Sequence, residues 1–166
     1  MALSRAGLNK SISFHIPEKL RDKALYNAKK RESLHKFHIS SRPLSDNYEY
    51  IGMLGECAVS LLLGLEVDWE LRASGDKGKD FIYKGYILDV KTARKPYNII
   101  REINKPHGDI LILAGINEKL DTVDLMGWEF DEIIQKAPYK DFGYGIINHY
   151  IPVDKLQEIN KLKYIK

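Results

Sequence analysis

Asp80-Phe81-Ile82-Tyr83-Lys84-Gly85-Tyr86-Ile87-Leu88-Asp89-Val90-Lys91 is the stretch whose reading decides the fold of this chain. Aromatic and aliphatic residues stand on both sides of Lys84-Gly85, which reads as two adjacent strands turning at that pair. Folded so, Asp80, Asp89 and Lys91 converge at one end of a sheet. Two carboxylates a few ångströms apart repel unless a cation sits between them. Hard oxygen ligands of this kind suit Mg²⁺, or Mn²⁺ as a substitute, and a neighbouring lysine steadies a phosphate or a nucleophilic hydroxide. Those are the parts that phosphodiester hydrolysis requires.

Upstream, a helix is expected from a cap at Ser45 or Asp46 to about Leu63, with Tyr50, Ile51, Leu54, Ala58, Leu61 and Leu62 at helical spacing and Gly64 as its stop. Gly52 and Gly55 each cost about 1 kcal/mol of helix propensity, so they point to close packing against a sheet or a substrate backbone. Glu56 sits inside this apolar helix and needs a cation or a hydrogen-bond partner. A strand is expected at 66–71, then a flexible connection from Ala73 to Gly78. Gly78-Lys79 follows Gly75 too closely for a phosphate-binding loop, and Asp80 comes next where Ser or Thr is needed. Further upstream, Pro17 and Glu18 open a helix with Leu20, Ala24, Leu25 and Ala28 on one face. Arg21, Lys23, Lys29, Lys30 and Arg31 fall mostly on the other, and Arg42-Pro43-Leu44 breaks the chain. His35 and His38 read as exposed residues near the helix end.

Downstream, Arg94, Lys95, Arg101 and Lys105, with Tyr97 among them, suit a grip on a phosphate backbone. The weak periodicity of 92–107 leaves its structure open. Residues 109–116 are nearly all apolar and read as an interior strand; 122–127 is its expected neighbour and 128–136 a short helix. Turn residues fill 137–145, a strand is expected near 146–150, and a terminal helix from Val153. Trp128 reads as a core residue and His149 as packed or exposed; His107 could reach a phosphate, though a turn histidine without such a role is the commoner case.

Over 166 residues, 44% hydrophobic and 30% charged, the composition is that of one globular unit. Residues 1–45 hold ten Lys or Arg against three acids, and the rest sixteen against twenty. This divides the chain into a basic helical extension (1–45) and a more acidic body (46–166), and the basic part favours DNA or RNA. The longest apolar stretch, 58–65, is far too short for a membrane span, and 1–10 has no signal-peptide core, so an intracellular protein without a membrane partner is expected. Cys57 alone excludes an internal disulfide and a thiolate zinc cluster.

Gly55-Glu56 on a helix, Gly75-x4-Asp80-Phe81 and Ile87-Leu88-Asp89-Val90-Lys91 together resemble the PD-(D/E)xK, or restriction-endonuclease-like, nuclease superfamily, and most of all its small phage-type members. The likeness spans about residues 48–116, covering the family's helix, three-stranded meander, connecting helix and fourth strand. It implies an α/β fold whose mixed central sheet is flanked by helices, and a metal-dependent DNA endonuclease located in the host cytoplasm if phage-encoded. It further implies Mg²⁺ held by Asp80, Asp89 and the Val90 carbonyl, with Glu56 completing the site directly or through water. Lys91 would orient or deprotonate the attacking water. Residue 79 is Lys where the motif's name has Pro, and the final acid is Asp where Glu is frequent. Leu71-Arg72-Ala73-Ser74-Gly75 before Asp80 is also similar to Holliday-junction resolvases, which cut as symmetric homodimers. A binding module that keeps the fold without cleaving is the contrasting expectation.

Overall fold

A computed structural model describes residues 10–34, 47–71 and 78–166. The break at Arg42-Pro43-Leu44, His35 and His38, the cap at Ser45 or Asp46 and most of the Ala73–Gly78 connection lie outside the described residues. In chain order the elements are β1 (Ile12–His15), α1 (Glu18–Leu34), α2 (Tyr48–Leu63), β2 (Phe81–Tyr83), β3 (Tyr86–Arg94), β4 (Asn98–Glu102) and β5 (Ile110–Ile116). They continue with β6 (Thr122–Phe130), α3 (Asp131–Ile134), β7 (Tyr139–Asp141), β8 (Ile147–Pro152) and two 3-10 helices, Val153–Lys155 and Ile159–Tyr164.

The β2–β3 hairpin turns at Lys84 and Gly85, both with positive φ (50° and 85°), the two-residue geometry whose twist matches that of paired strands. Lys84 tolerates it with help: its ammonium donates to the carbonyls of Lys163 (2.7 Å) and Ile165 (3.1 Å), tying the chain end to the turn. A five-stranded sheet is ordered β1-β6-β5-β3-β2, with β3 and β5 parallel and the other neighbours antiparallel. A three-stranded antiparallel sheet is ordered β4-β8-β7.

Strand β5 is buried along its whole length because both of its faces are covered. Ile110, Ile112, Ala114 and Ile116 join Leu88, Val90 and the apolar residues of α1 and α2 in the main core, whereas Leu111 and Leu113 pack with Ile99, Ile134 and Leu156 in a second one. The molecule is therefore α/β with a mixed sheet flanked by helices, as expected, and a smaller second sheet that was not expected. The described part of the basic segment, residues 10–34, is built into this body, since β1 pairs with β6 and α1 buries Ala24, Asn27 and Ala28. No helix among the described residues is long and apolar enough to cross a membrane.

Helix α2 ends at Gly64, whose positive φ (68°) lets its N–H bond to Ser60 O. Gly55 explains how closely this helix lies on the sheet, because a Cβ there would stand 1.8 Å from Thr92 Oγ1. Gly55→Ala is expected to cost about 1–3 kcal/mol through overpacking. Thr92→Ala in the same chain should recover most of that loss, and urea unfolding of the two single variants and the double variant measures both.

Several local expectations are corrected. Residues 66–71 form no strand: Leu65, Val67 and Trp69 pack on the core, and side chains of α1 take up the carbonyls, Asn27 Nδ2 donating to Trp69 O (2.8 Å) and Arg31 to Asp68 O (3.4 Å). Between β3 and β5 stands the strand β4, paired to β8, in place of a connecting helix. The expected helix 128–136 shrinks to α3, because β6 stays paired with β5 as far as Phe130 opposite Ile110. The terminal helix breaks into two 3-10 pieces because Gln157 extends to exchange both backbone hydrogen bonds with Trp128. Cys57 is fully buried as expected, and burial, aided by Glu56, pushes its thiol up to about 12.

Candidate functional site

Asp80 stands one residue before β2, where β2 and β3 part. Its N–H still bonds to Leu88 O (2.9 Å), but the ladder ends there, and its carboxylate takes the place of the missing strand by accepting the Val90 N–H at 2.6 Å. Asp80 is thus anchored on the amide that joins Asp89 to Val90. Alternation along β3 places Asp89 and Lys91 on the face opposite Leu88, Val90 and Thr92. The Lys91 ammonium lies 2.8 Å from Asp89 Oδ1; the lysine side chain is 35% exposed and the aspartate 3%. Lys91 therefore reaches solvent from a partner that does not.

The other Asp89 oxygen faces His107 Nδ1 at 3.4 Å, beyond good hydrogen-bond length. His107 Nε2 lies 2.8 Å from Glu102 O; a carbonyl only accepts, so Nε2 carries a proton. The loop bearing His107 is pinned to the start of β3, because Asp109 N–H donates to Ile87 O and the Ile87 N–H to Asp109 Oδ2, both at 2.8 Å. Two glycines make room for the carboxylate. A Cβ at Gly78 would meet Asp89 Oδ2 at 2.8 Å, and one at Gly108 would meet Ile87 O at 2.7 Å and Asp89 Cβ at 3.2 Å.

Burial alone would raise the Asp89 carboxyl, but the His107 contact and the Lys91 ammonium outweigh it and hold the group below the usual carboxylate range. With its folded value depressed, the carboxylate stabilises the fold above the ordinary aspartate value of about 3.9, and that contribution disappears as pH falls through the depressed value. Melting temperatures in EDTA should therefore show the gap between the native chain and Asp89→Asn narrowing below about pH 4.

Asp80, Asp89, Val90 and Lys91 come together at the β2–β3 hairpin, and Glu56 is buried on α2, the helix whose apolar residues pack with Leu88 and Val90. Among the described residues no three His, Cys, Asp or Glu side chains group as a metal-ligand set. A cleft of about 530 Å³ opens beside Asp80, bounded by Glu66, Asp68, Lys79 and Phe81. Of the expected phosphate-gripping residues, Lys29, Lys30, Arg94 and Lys95 are exposed, Lys95 lying 3.6 Å from Glu118. Arg31 is half-buried against the Asp68 carbonyl, and Lys105 pairs with Glu102 (3.2 Å). Arg101 is committed elsewhere: only 13% exposed, its guanidinium makes a two-point contact with Asp131 and ties β4 to α3.

The partner of Asp89 that the sequence reading missed is His107. Its signal lies in Lys105-Pro106-His107-Gly108-Asp109 directly before β5, since parallel pairing brings the loop entering β5 beside the beginning of β3. Comparisons with protein-family models, with curated proteins and with solved structures give no match for this chain.

Proposed function

We propose that the chain is a Mg²⁺-dependent nuclease of the restriction-endonuclease-like type that hydrolyses phosphodiester bonds in DNA. The observation that carries this reading is the anchoring of Asp80 on the Asp89–Val90 amide, with Lys91 and Asp89 paired on one face of the same strand. A hard cation suits this place: Asp89 Oδ2 is a buried acceptor that no hydrogen bond satisfies, in a cradle kept open by Gly78 and Gly108. Asp80, Asp89 and the Val90 carbonyl would hold the ion, with Glu56 completing the site directly or through water. When bound, such an ion lowers the pKa of its water and polarises a phosphoryl oxygen.

The chain's own residues do the rest. The Val90 amide fixes the direction of Asp80, and Lys91 brings a partly exposed ammonium to the phosphate, where it offsets charge that develops in the transition state. Exposed Lys29, Lys30, Arg94 and Lys95 supply sequence-independent attraction for the DNA backbone. Cutting both strands requires a second copy or two successive nicks. The test is cleavage of supercoiled plasmid and of a branched-DNA panel with Mg²⁺, Mn²⁺ or EDTA, beside Lys91→Ala. Metal-dependent nicking lost in the variant supports the reading.

A second reading, a DNA-binding module that does not cleave, draws on the ion pair by which the Lys91 ammonium already balances Asp89. Mn²⁺ binding that disappears in Asp80→Ala or Asp89→Ala argues against it. DNA retardation without metal binding or cleavage argues for it.

A further inference from the structure

We propose that the β7–β8 loop is a stacking platform for unpaired nucleobases, so that the DNA this site takes carries single-stranded or flapped bases beside the scissile phosphate. The inference rests on the nuclease reading and deepens it by naming the substrate class. The topology puts this loop beside the site. Asp89 and Lys91 lie opposite Leu111 and Leu113 of β5, and those leucines pack with Ile99 of β4, so the smaller sheet stands on the same face of the main sheet as the pair. Strand β4 ends near Asp89, because His107 lies 2.8 Å from Glu102 O and 3.4 Å from Asp89 Oδ2. Glu102 is opposite Asn148 of β8, and the following N–H, that of Ile103, bonds to Ile147 O at 3.2 Å. Ile147 is the first residue of β8, so the loop from Phe142 to Ile146 stands at the end of the smaller sheet that borders the Asp89–Lys91 pair.

The side chains of the loop suit bases. Tyr144 is 70% exposed and Phe142 39%. Phe142 meets Tyr150 edge-on (5.4 Å between ring centres), and the Lys140 ammonium lies over both rings, 4.6 and 5.1 Å from their centres. Rings that carry a cation fit a nucleic-acid strand, since every base presents a π-face and the backbone between bases is anionic. The loop is also preset, Asp141 Oδ1 accepting the Gly143 N–H at 2.7 Å. Tyr144 stands between Gly143 and Gly145 with φ 62°, a left-handed conformation that a bulky residue avoids. A turn alone is better served there by glycine. An aromatic ring held outward at that cost, and left uncovered by its own chain, is explained by a partner that stacks on it. Intact duplex keeps its base faces against one another, so the ring meets unpaired bases only.

The full chain in EDTA, where no strand is cut, is titrated by fluorescence anisotropy against a labelled oligothymidylate and a blunt duplex of the same length. Tyr144→Ala is expected to weaken oligothymidylate binding about 5–150-fold, the loss of one base stack, with duplex affinity unchanged. Tyr144→Trp returns a ring and should keep the native affinity. Tyr144→Gly should lose affinity as Tyr144→Ala does although it relieves the backbone, so that affinity and melting temperature part. With Mg²⁺ present, Tyr144→Ala should lower kcat/KM on a flapped duplex and spare a blunt one. Native oligothymidylate affinity in Tyr144→Ala overturns the proposal, as does a loss that is equal on single strand and duplex. A dimer in sedimentation that dissociates in Tyr144→Ala, while oligothymidylate affinity stays native, assigns the loop to a second copy of the chain instead. A native chain that binds and cuts blunt duplex but ignores oligothymidylate refutes the platform alone. Oligothymidylate binding that Tyr144→Ala removes, in a chain that cuts no substrate with Mg²⁺ or Mn²⁺, sinks the nuclease reading and leaves the platform as a binding surface.

Discussion

Lys91→Ala is expected to lower the kcat of the proposed metal-dependent DNA cleavage by about 10²–10³-fold, the usual loss when one donor aimed at transition-state charge is removed. The KM for DNA should hardly move, because that charge is absent from the bound substrate. The structure separates the tasks of the pair. Asp89 is enclosed and cannot reach a phosphate, whereas Lys91 is one-third exposed and can. Removing the ammonium also leaves Asp89 facing His107 alone, so melting temperature has to be read alongside the rate. Lys91→Met keeps the apolar stem and separates the two effects: a rate as low as that of Lys91→Ala in a chain that melts like the native one assigns the loss to charge. Cleavage at the native rate in either variant would remove Lys91 from the chemistry and end the case for this active site.

Trp128→Ala should be the most destabilising of the substitutions considered, at about 3–5 kcal/mol. The indole is almost completely buried, packs edge-on against Phe130 (5.3 Å between ring centres) and donates from Nε1 to Glu158 O at 3.0 Å. Its own backbone exchanges hydrogen bonds with Gln157, and Gly127 beside it gives way to Leu156 and Gln157, which a Cβ would meet at 2.7 and 2.9 Å. One side chain therefore joins β6 to the chain's last segment. Urea unfolding measures the loss, and trypsin should cut at Lys161 and Lys163 earlier than in the native chain. A loss below about 1 kcal/mol would mean that backbone pairing at Gln157, and not the indole, holds that segment.

How far the sequence could be read follows from the range over which each signal acts. The β2–β3 hairpin was legible because alternation and the Lys84-Gly85 turn are properties of neighbouring residues, and the β5 strand because seven consecutive buried positions leave an unbroken apolar run. Residues 66–71 misled for the same reason. Leu65, Val67 and Trp69 alternate like a strand, yet Asn27 and Arg31 of a distant helix take up the carbonyls that a neighbouring strand would have used. Strand β4 had no local mark at all, its partner β8 lying some fifty residues further on.

The candidate site divides along the same line. By itself the sequence determined the hairpin that carries Asp80, Asp89 and Lys91, and the two-residue spacing that puts the last two on one side of a strand, since pleating alternates side chains whatever surrounds them. Only the tertiary structure decided that Asp80 binds the Val90 amide and that His107 comes to lie beside Asp89. Those outcomes depend on which strands pair and which face each layer covers. The parallel pairing of β3 with β5 sets Leu88 against Ile110 and so carries the loop entering β5 to Asp89, a choice made by the burial of both faces of β5 and written in no short stretch of the chain.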